Sequence, residues 1–81
     1  MPNSYTHIGE AIKARREGLG LTQEQLCERL GWKPGRSSEI SDLENGTNQN
    51  PTLKRLIALA SALDCHVRDL VFMLNTESEG L

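Results

Sequence analysis

The sequence predicts an all-α fold of five short helices, and three observations lead there. Hydrophobic residues make up 37% of the 81-residue chain but aromatics only 4%, so the core must be built from Leu, Ile, Val and Ala. That suits a compact helical bundle and is thin for a β-sandwich. Four clusters of turn residues, GLGLT at 18–22, GWKPG at 31–35, NGTNQNPT at 45–52 and DCH at 64–66, divide the chain into five segments. Within each segment the apolar residues recur at helical spacing.

The first segment, Thr6 to about Gly18, places Ile8, Ala11, Ile12 and Arg15/Arg16 on one face. Thr22 opens the second as N-cap, and Gln25 completes a capping box of the T-x-x-Q type. Leu26, Cys27 and Leu30 form its apolar stripe, and Gly31 ends it as the C′ residue. The third runs from Ser37 to Glu44, with Ile40 and Leu43 as its apolar pair and Asn45-Gly46 as its stop. The fourth follows Thr52 and contains LKRLIALASAL. Leu53, Leu56, Ile57, Leu59, Ala60 and Leu63 are apolar on more than one side, which predicts a central helix packed by several neighbours. The fifth starts at His66 or Val67 and runs to about Leu74, with Val67, Leu70 and Val71 toward the core. Residues 6–74 are expected to form one domain, between an N-terminal tail at 1–5 and a flexible acidic C-terminal tail at 75–81.

Several function classes are set aside on composition. The longest apolar run falls short of the 18 or so residues of a membrane span, and MPNSYTHIGE does not read as a signal peptide, so the expected location is cytoplasmic. Cys27 and Cys65 are expected as buried thiols, since Cys65-His66 is not a ligand set; no metal and no cofactor are implied. His7 and His66 fall at helix starts, where capping is the ordinary role. No nucleophile-base spacing or phosphate-cradling glycine loop is visible, so no enzymatic activity is expected. A net charge of −2 and a pI near 5.6 count against nucleic acid. Without Glu77 and Glu79 of the tail, however, the eleven acids become nine, against nine bases. A local basic patch remains open to the folded part.

Three segments in order, GLTQEQLCERLG, SSEISDLENG and PTLKRLIALASALDCHVRDL, resemble the phage-repressor/Cro-type (lambda-repressor-like) helix-turn-helix family over about residues 8–71. The resemblance implies a compact five-helix DNA-binding domain in which the third helix enters the major groove. Gln23, in the first turn of the second helix, is implied as a phosphate contact at a helix N-terminus. Cys27 stands where the family usually has Ala, at a close approach of the second and third helices. Arg16 and Glu44 match a pair that links the first helix to the end of the recognition helix; the other reading is two solvated surface charges. Ser37 and Ser38 correspond to base-contacting positions.

The chain departs from the family at two places. Between Gly31 and Glu44 there are twelve residues where the family usually has nine, and WKPG is the place for the longer turn. Trp32 there either caps the edge of the core or belongs to a turn that carries Lys33 and Arg36 to a phosphate. The loop after Asn45 is neutral, with Asn45, Thr47, Asn48, Gln49 and Asn50. Asn45 and Thr47 can donate to phosphate but release few counterions, so modest affinity and salt dependence are expected. On a helical phase of about 100° per residue, Ile40 and Leu43 face inward while Ser38 and Asp42 face the groove. Ser41 flanks that face on one side. Glu39 flanks it on the other, where it can turn toward Arg36. Asp42 can accept from cytosine N4.

The expected function is a sequence-specific DNA-binding regulator, a repressor acting on double-stranded DNA as a weak homodimer at a near-palindromic operator. The alternative is a protein-interaction module of the same fold, an antitoxin or accessory factor, with a protein partner. The expected dimer surface is Phe72, Met73 and Leu74; the other fate for Phe72 is to fold back over Tyr5 or Ile8.

Overall fold

The computed structural model describes residues 7–33, 35–48 and 50–72. They form five α-helices: α1 Ile8–Gly18, α2 Gln23–Leu30, α3 Ser37–Glu44, α4 Leu53–Ala62 and α5 Val67–Phe72. Among the described residues there is no strand. The expected tails, together with Thr6, Met73 and Leu74, lie outside the described residues, and so does the side chain of Phe72.

The core is aliphatic. Ile8, Ala11 and Ile12 of α1 meet Leu26 and Cys27 of α2, Ile40 and Leu43 of α3, Leu59, Ala60 and Leu63 around the end of α4, and Leu70 of α5. Each wholly buried Leu or Ile contributes roughly 1.5–3 kcal/mol by leaving water. α1 packs on α3 and α5, α2 packs on α3 and α4, and α4 packs on α5. Five helices of six to eleven residues are too short to persist alone, so this mutual burial is what keeps them helical.

Local signals set the helix ends. The Thr22 hydroxyl accepts from the Gln25 N–H at 3.0 Å, and the Gln25 side-chain oxygen accepts from the Thr22 N–H at 2.8 Å. Gly31 takes the left-handed conformation, φ 73°, that closes α2. Thr52 caps α4 by accepting from the Arg55 N–H at 3.1 Å. At α4's other end the caps are long-range. Arg15 donates to the carbonyls of Leu63 and Asp64, and Arg29 to that of Ala62, so cations from α1 and α2 meet the negative end of the helix.

Three expectations are corrected. α4 is not enclosed all round: Leu53 is 65% and Ile57 54% exposed, because α2 and α5 cover only the side bearing Leu59 and Ala60. Val71 is 46% exposed instead of filling the core, because Leu70 occupies the inward position of α5 and the next residue lies about 100° away. His7 precedes α1 at the N-cap position but makes no side-chain capping bond. At α5 it is the Asp69 carboxylate that accepts from the His66 N–H.

One contact has no sequence signal. A Cβ at Gly9 would overlap the carbonyl of Leu43, so only glycine lets the first turn of α1 meet the end of α3.

Candidate nucleic-acid interface

α3 has one buried face and one open one. Ile40 and Leu43 are closed to solvent, whereas Ser38 and Asp42 are exposed on the opposite side. Ser37 and Ser41 flank them, half-buried. The open face is small and polar: the Ser38 hydroxyl beside the Asp42 carboxylate, with the Ser37 and Ser41 hydroxyls at its edges, able to donate to and accept from a neighbouring polar edge.

The end of α3 is braced from below. Arg16 donates through Nε to Glu44 Oε2 at 2.7 Å and through Nη2 to Oε1 at 2.9 Å. Its third nitrogen, Nη1, donates to the Leu21 carbonyl. Gln23 Nε2 adds a bond to Glu44 Oε1 at 3.0 Å. The fork joins α1, the α1–α2 turn, α2 and α3 at one point, and the paired carboxylate pushes the Arg16 guanidinium's pKa further up. Such a pair orients more than it stabilises, since desolvation offsets much of the attraction. Gln23 is therefore held by Glu44 through one hydrogen of an amide that has two.

The two acids of α3 have different fates. Asp42 stands exposed on the open face. Glu39 is turned aside and shared: Oε2 accepts from Arg36 Nε at 2.6 Å, and Oε1 accepts from Arg55 Nη1 at 2.7 Å. Hydrogen bonding from Arg36 is the main reason its carboxyl lies below the ordinary 4.5. Both guanidinium carbons lie over the Trp32 ring, at 4.7 Å for Arg36 and 5.1 Å for Arg55. Trp32 itself is half-buried against the core. The longer turn thus packs its tryptophan inward and stacks cations on the outer side.

The remaining cations divide by role. Arg15, Arg16 and Arg29 are engaged within the fold. Arg36 and Arg55, with Lys54, border a surface hollow of about 290 Å³ beside the N-terminus of α4. Lys33 is exposed in the turn. In the following loop the Asn45 side-chain oxygen accepts from the Thr47 N–H at 2.9 Å, and both residues are exposed. Among the described residues no group of His, Cys, Asp and Glu is placed to hold a metal, and no helix is long and apolar enough to cross a membrane. Cys27 is buried and Cys65 half-buried, both as free thiols whose pKa burial raises.

The structure therefore brings Arg16, Glu44 and Gln23 to one point and Ser37, Ser38, Ser41 and Asp42 to one helix. It sets Arg36 apart at the flank, while Asn45 and Thr47 follow α3 in the loop. Arg55 escaped the sequence reading, because nothing local ties a first-turn arginine of α4 to an acid sixteen residues earlier.

A family model described as Helix-turn-helix matches residues 12–70. The crystal structure of SinR, the master regulator for biofilm formation, in complex with DNA is similar at TM-score 0.71 and 30% identity, over 79% of this chain and 97% of that one. The restriction-modification controller protein C.AhdI from Aeromonas hydrophila is similar at TM-score 0.68 and 32% identity, over 78% of this chain and 89% of that one. SinR in the SinR/SinI complex gives TM-score 0.70 and 30% identity, over 91% of this chain and 66% of that one. Among curated proteins there is no significant match. With a family match across most of the chain and an all-helical fold shared with these regulators, the chain belongs to the lambda-repressor-like helix-turn-helix family of DNA-binding regulators.

Proposed function

We propose that this protein is a sequence-specific DNA-binding transcription regulator, acting in the cytoplasm as a repressor that lays α3 into the major groove. The observation that carries this reading is the open Ser38–Asp42 face on a helix whose far end is clamped by the Arg16–Glu44 fork. A recognition helix must hold its register while its polar face is offered, and the buried fork supplies that rigidity. Ser37, Ser38, Ser41 and Asp42 read base edges, with Asp42 accepting from cytosine N4. Gln23 gives its second amide hydrogen to a phosphate, and Lys33, Arg36, Asn45 and Thr47 hold the backbone on either side. SinR, of similar fold, is known bound to DNA, which supports the same use here.

One eight-residue helix reads few base pairs, so two copies are needed, with recognition helices about 34 Å apart on a near-palindromic operator. Phe72, Met73 and Leu74 remain candidates for that contact; Met73, Leu74 and the side chain of Phe72 lie outside the described residues. The exposed Leu53, Ile57 and Val71 add apolar surface on α4 and α5 that a second copy could cover. The same apolar surface favours a second reading, a protein-interaction module, for which SinR in complex with SinI is the parallel.

Selection from a random duplex library, followed by sequencing, tests the first reading. Enrichment of two related half-sites in inverted orientation is expected. Equal retention of all duplexes would leave the protein-interaction module as the better account.

A further inference from the structure

We propose that Glu39 is a positioning residue for DNA binding: its carboxylate gathers Arg36 and Arg55 into one clamp for a backbone phosphate, so an acid on α3 strengthens the grip on DNA. The proposal rests on the DNA-binding reading above and adds to it a role for a negative charge that by itself should oppose a polyanion.

The geometry points this way. Glu39 gives one oxygen to each arginine, Arg36 from the long turn and Arg55 from the first turn of α4. Two residues from different elements are thereby brought to one place. Both guanidinium carbons lie over the Trp32 ring, which gives the two groups a common support. The side chains of Arg36 and Arg55 remain 39% and 35% exposed, so the clamp opens to solvent. Each guanidinium carries five N–H donors and gives only one nitrogen to Glu39, which leaves donors for a further oxyanion. The hollow beside them is lined by Trp32, Arg36, Thr52, Lys54, Arg55 and Ala58. Glu39 is not part of that lining. Three cations line the hollow and the acid, itself 33% exposed, does not, so the group as a whole is positive.

A free arginine loses rotamer freedom when it closes on a phosphate. An arginine already paired and stacked has lost it beforehand, and its planar fork is pre-set. This is the gain set against Glu39's repulsion, and the two views differ in sign. If the acid merely repels DNA, removing its charge tightens binding. If it positions the arginines, removing its charge weakens binding even though the protein becomes less acidic.

The test measures affinity of the full chain for a duplex chosen from the random library, across a range of KCl. Glu39→Gln should weaken binding about tenfold and make log affinity against log salt shallower by about one unit, with helicity unchanged. Arg36→Ala with Arg55→Ala should show a similar loss, and Glu39→Gln should add nothing on that background. Arg55→Lys, which keeps the charge but loses the fork, should also weaken binding, and it serves if Glu39→Gln impairs folding. Inorganic phosphate at matched ionic strength should compete no better than chloride; strong competition would make this a free-anion site instead. Unchanged or tighter binding by Glu39→Gln overturns the proposal, as does a full loss persisting without the two arginines. A wild type indifferent to every duplex would take down the DNA-binding reading itself, a result distinct from either.

Discussion

Arg16 and Glu44 are joined by two parallel hydrogen bonds, 2.7 and 2.9 Å long, with side chains only 9% and 3% exposed. The pair fastens the last turn of α3 to α1. Glu44→Ala would leave a guanidinium buried without its counter-charge, at a cost of about 3–5 kcal/mol. For a domain of this size that lowers the melting temperature by about 4–8 °C per kcal/mol. Arg16→Met with Glu44→Leu should cost much less, because no unpaired charge remains. Thermal unfolding of Glu44→Ala and of the double variant checks this, and equal losses in both would show that the fork is not a coupled unit.

Gly9 should be as sensitive as any core leucine. A methyl group there meets the Leu43 carbonyl, and neither backbone can yield without moving α1 off α3. Gly9→Ala is expected to destabilise by about 3 kcal/mol, although alanine is the better helix former. Denaturant titration decides it, and a stabilised variant would rule out the close approach.

Ser38 and Asp42 share the open face of α3, so replacing both by alanine should alter which sites are selected while leaving the circular dichroism spectrum intact. Asp42→Ala alone should relax the requirement for cytosine at one position and raise non-specific affinity by removing a negative charge. Identical selected sites for parent and variant would place the reading surface elsewhere.

Leu53 and Ile57 lie one turn apart on the uncovered side of α4. If a second copy covers them, Leu53→Ser with Ile57→Ser should shift sedimentation toward monomer and weaken operator binding, with little change in monomer stability. A variant that self-associates like the wild type would return the dimer contact to Phe72, Met73 and Leu74.

Much of the fold was legible because its signals are local. Thr22 with Gln25, Gly31 after Leu30, and Thr52 before Leu53 each mark a helix end through groups a few residues apart. The inward phase of Ile40 and Leu43 follows from the helical period, and with it the outward phase of Ser38 and Asp42. The turn of Glu39 toward Arg36 is likewise a contact between near neighbours, three residues apart. What the tertiary structure alone decided depends on elements distant in the chain. Helical period shows that α4 is apolar on several sides, but not which of them α2 and α5 will cover, so the exposure of Leu53 and Ile57 emerged only on packing. Val71 is apolar at a plausible core phase, yet Leu70 took the inward position. Gly9 carries no turn signal, because its reason is a carbonyl thirty-four residues away. Arg55 reaches Glu39 only once α4 lies beside the long turn. Periodicity and caps act over one or two turns of chain, whereas burial, close backbone approach and the sharing of a carboxylate between two arginines exist only after the helices have met.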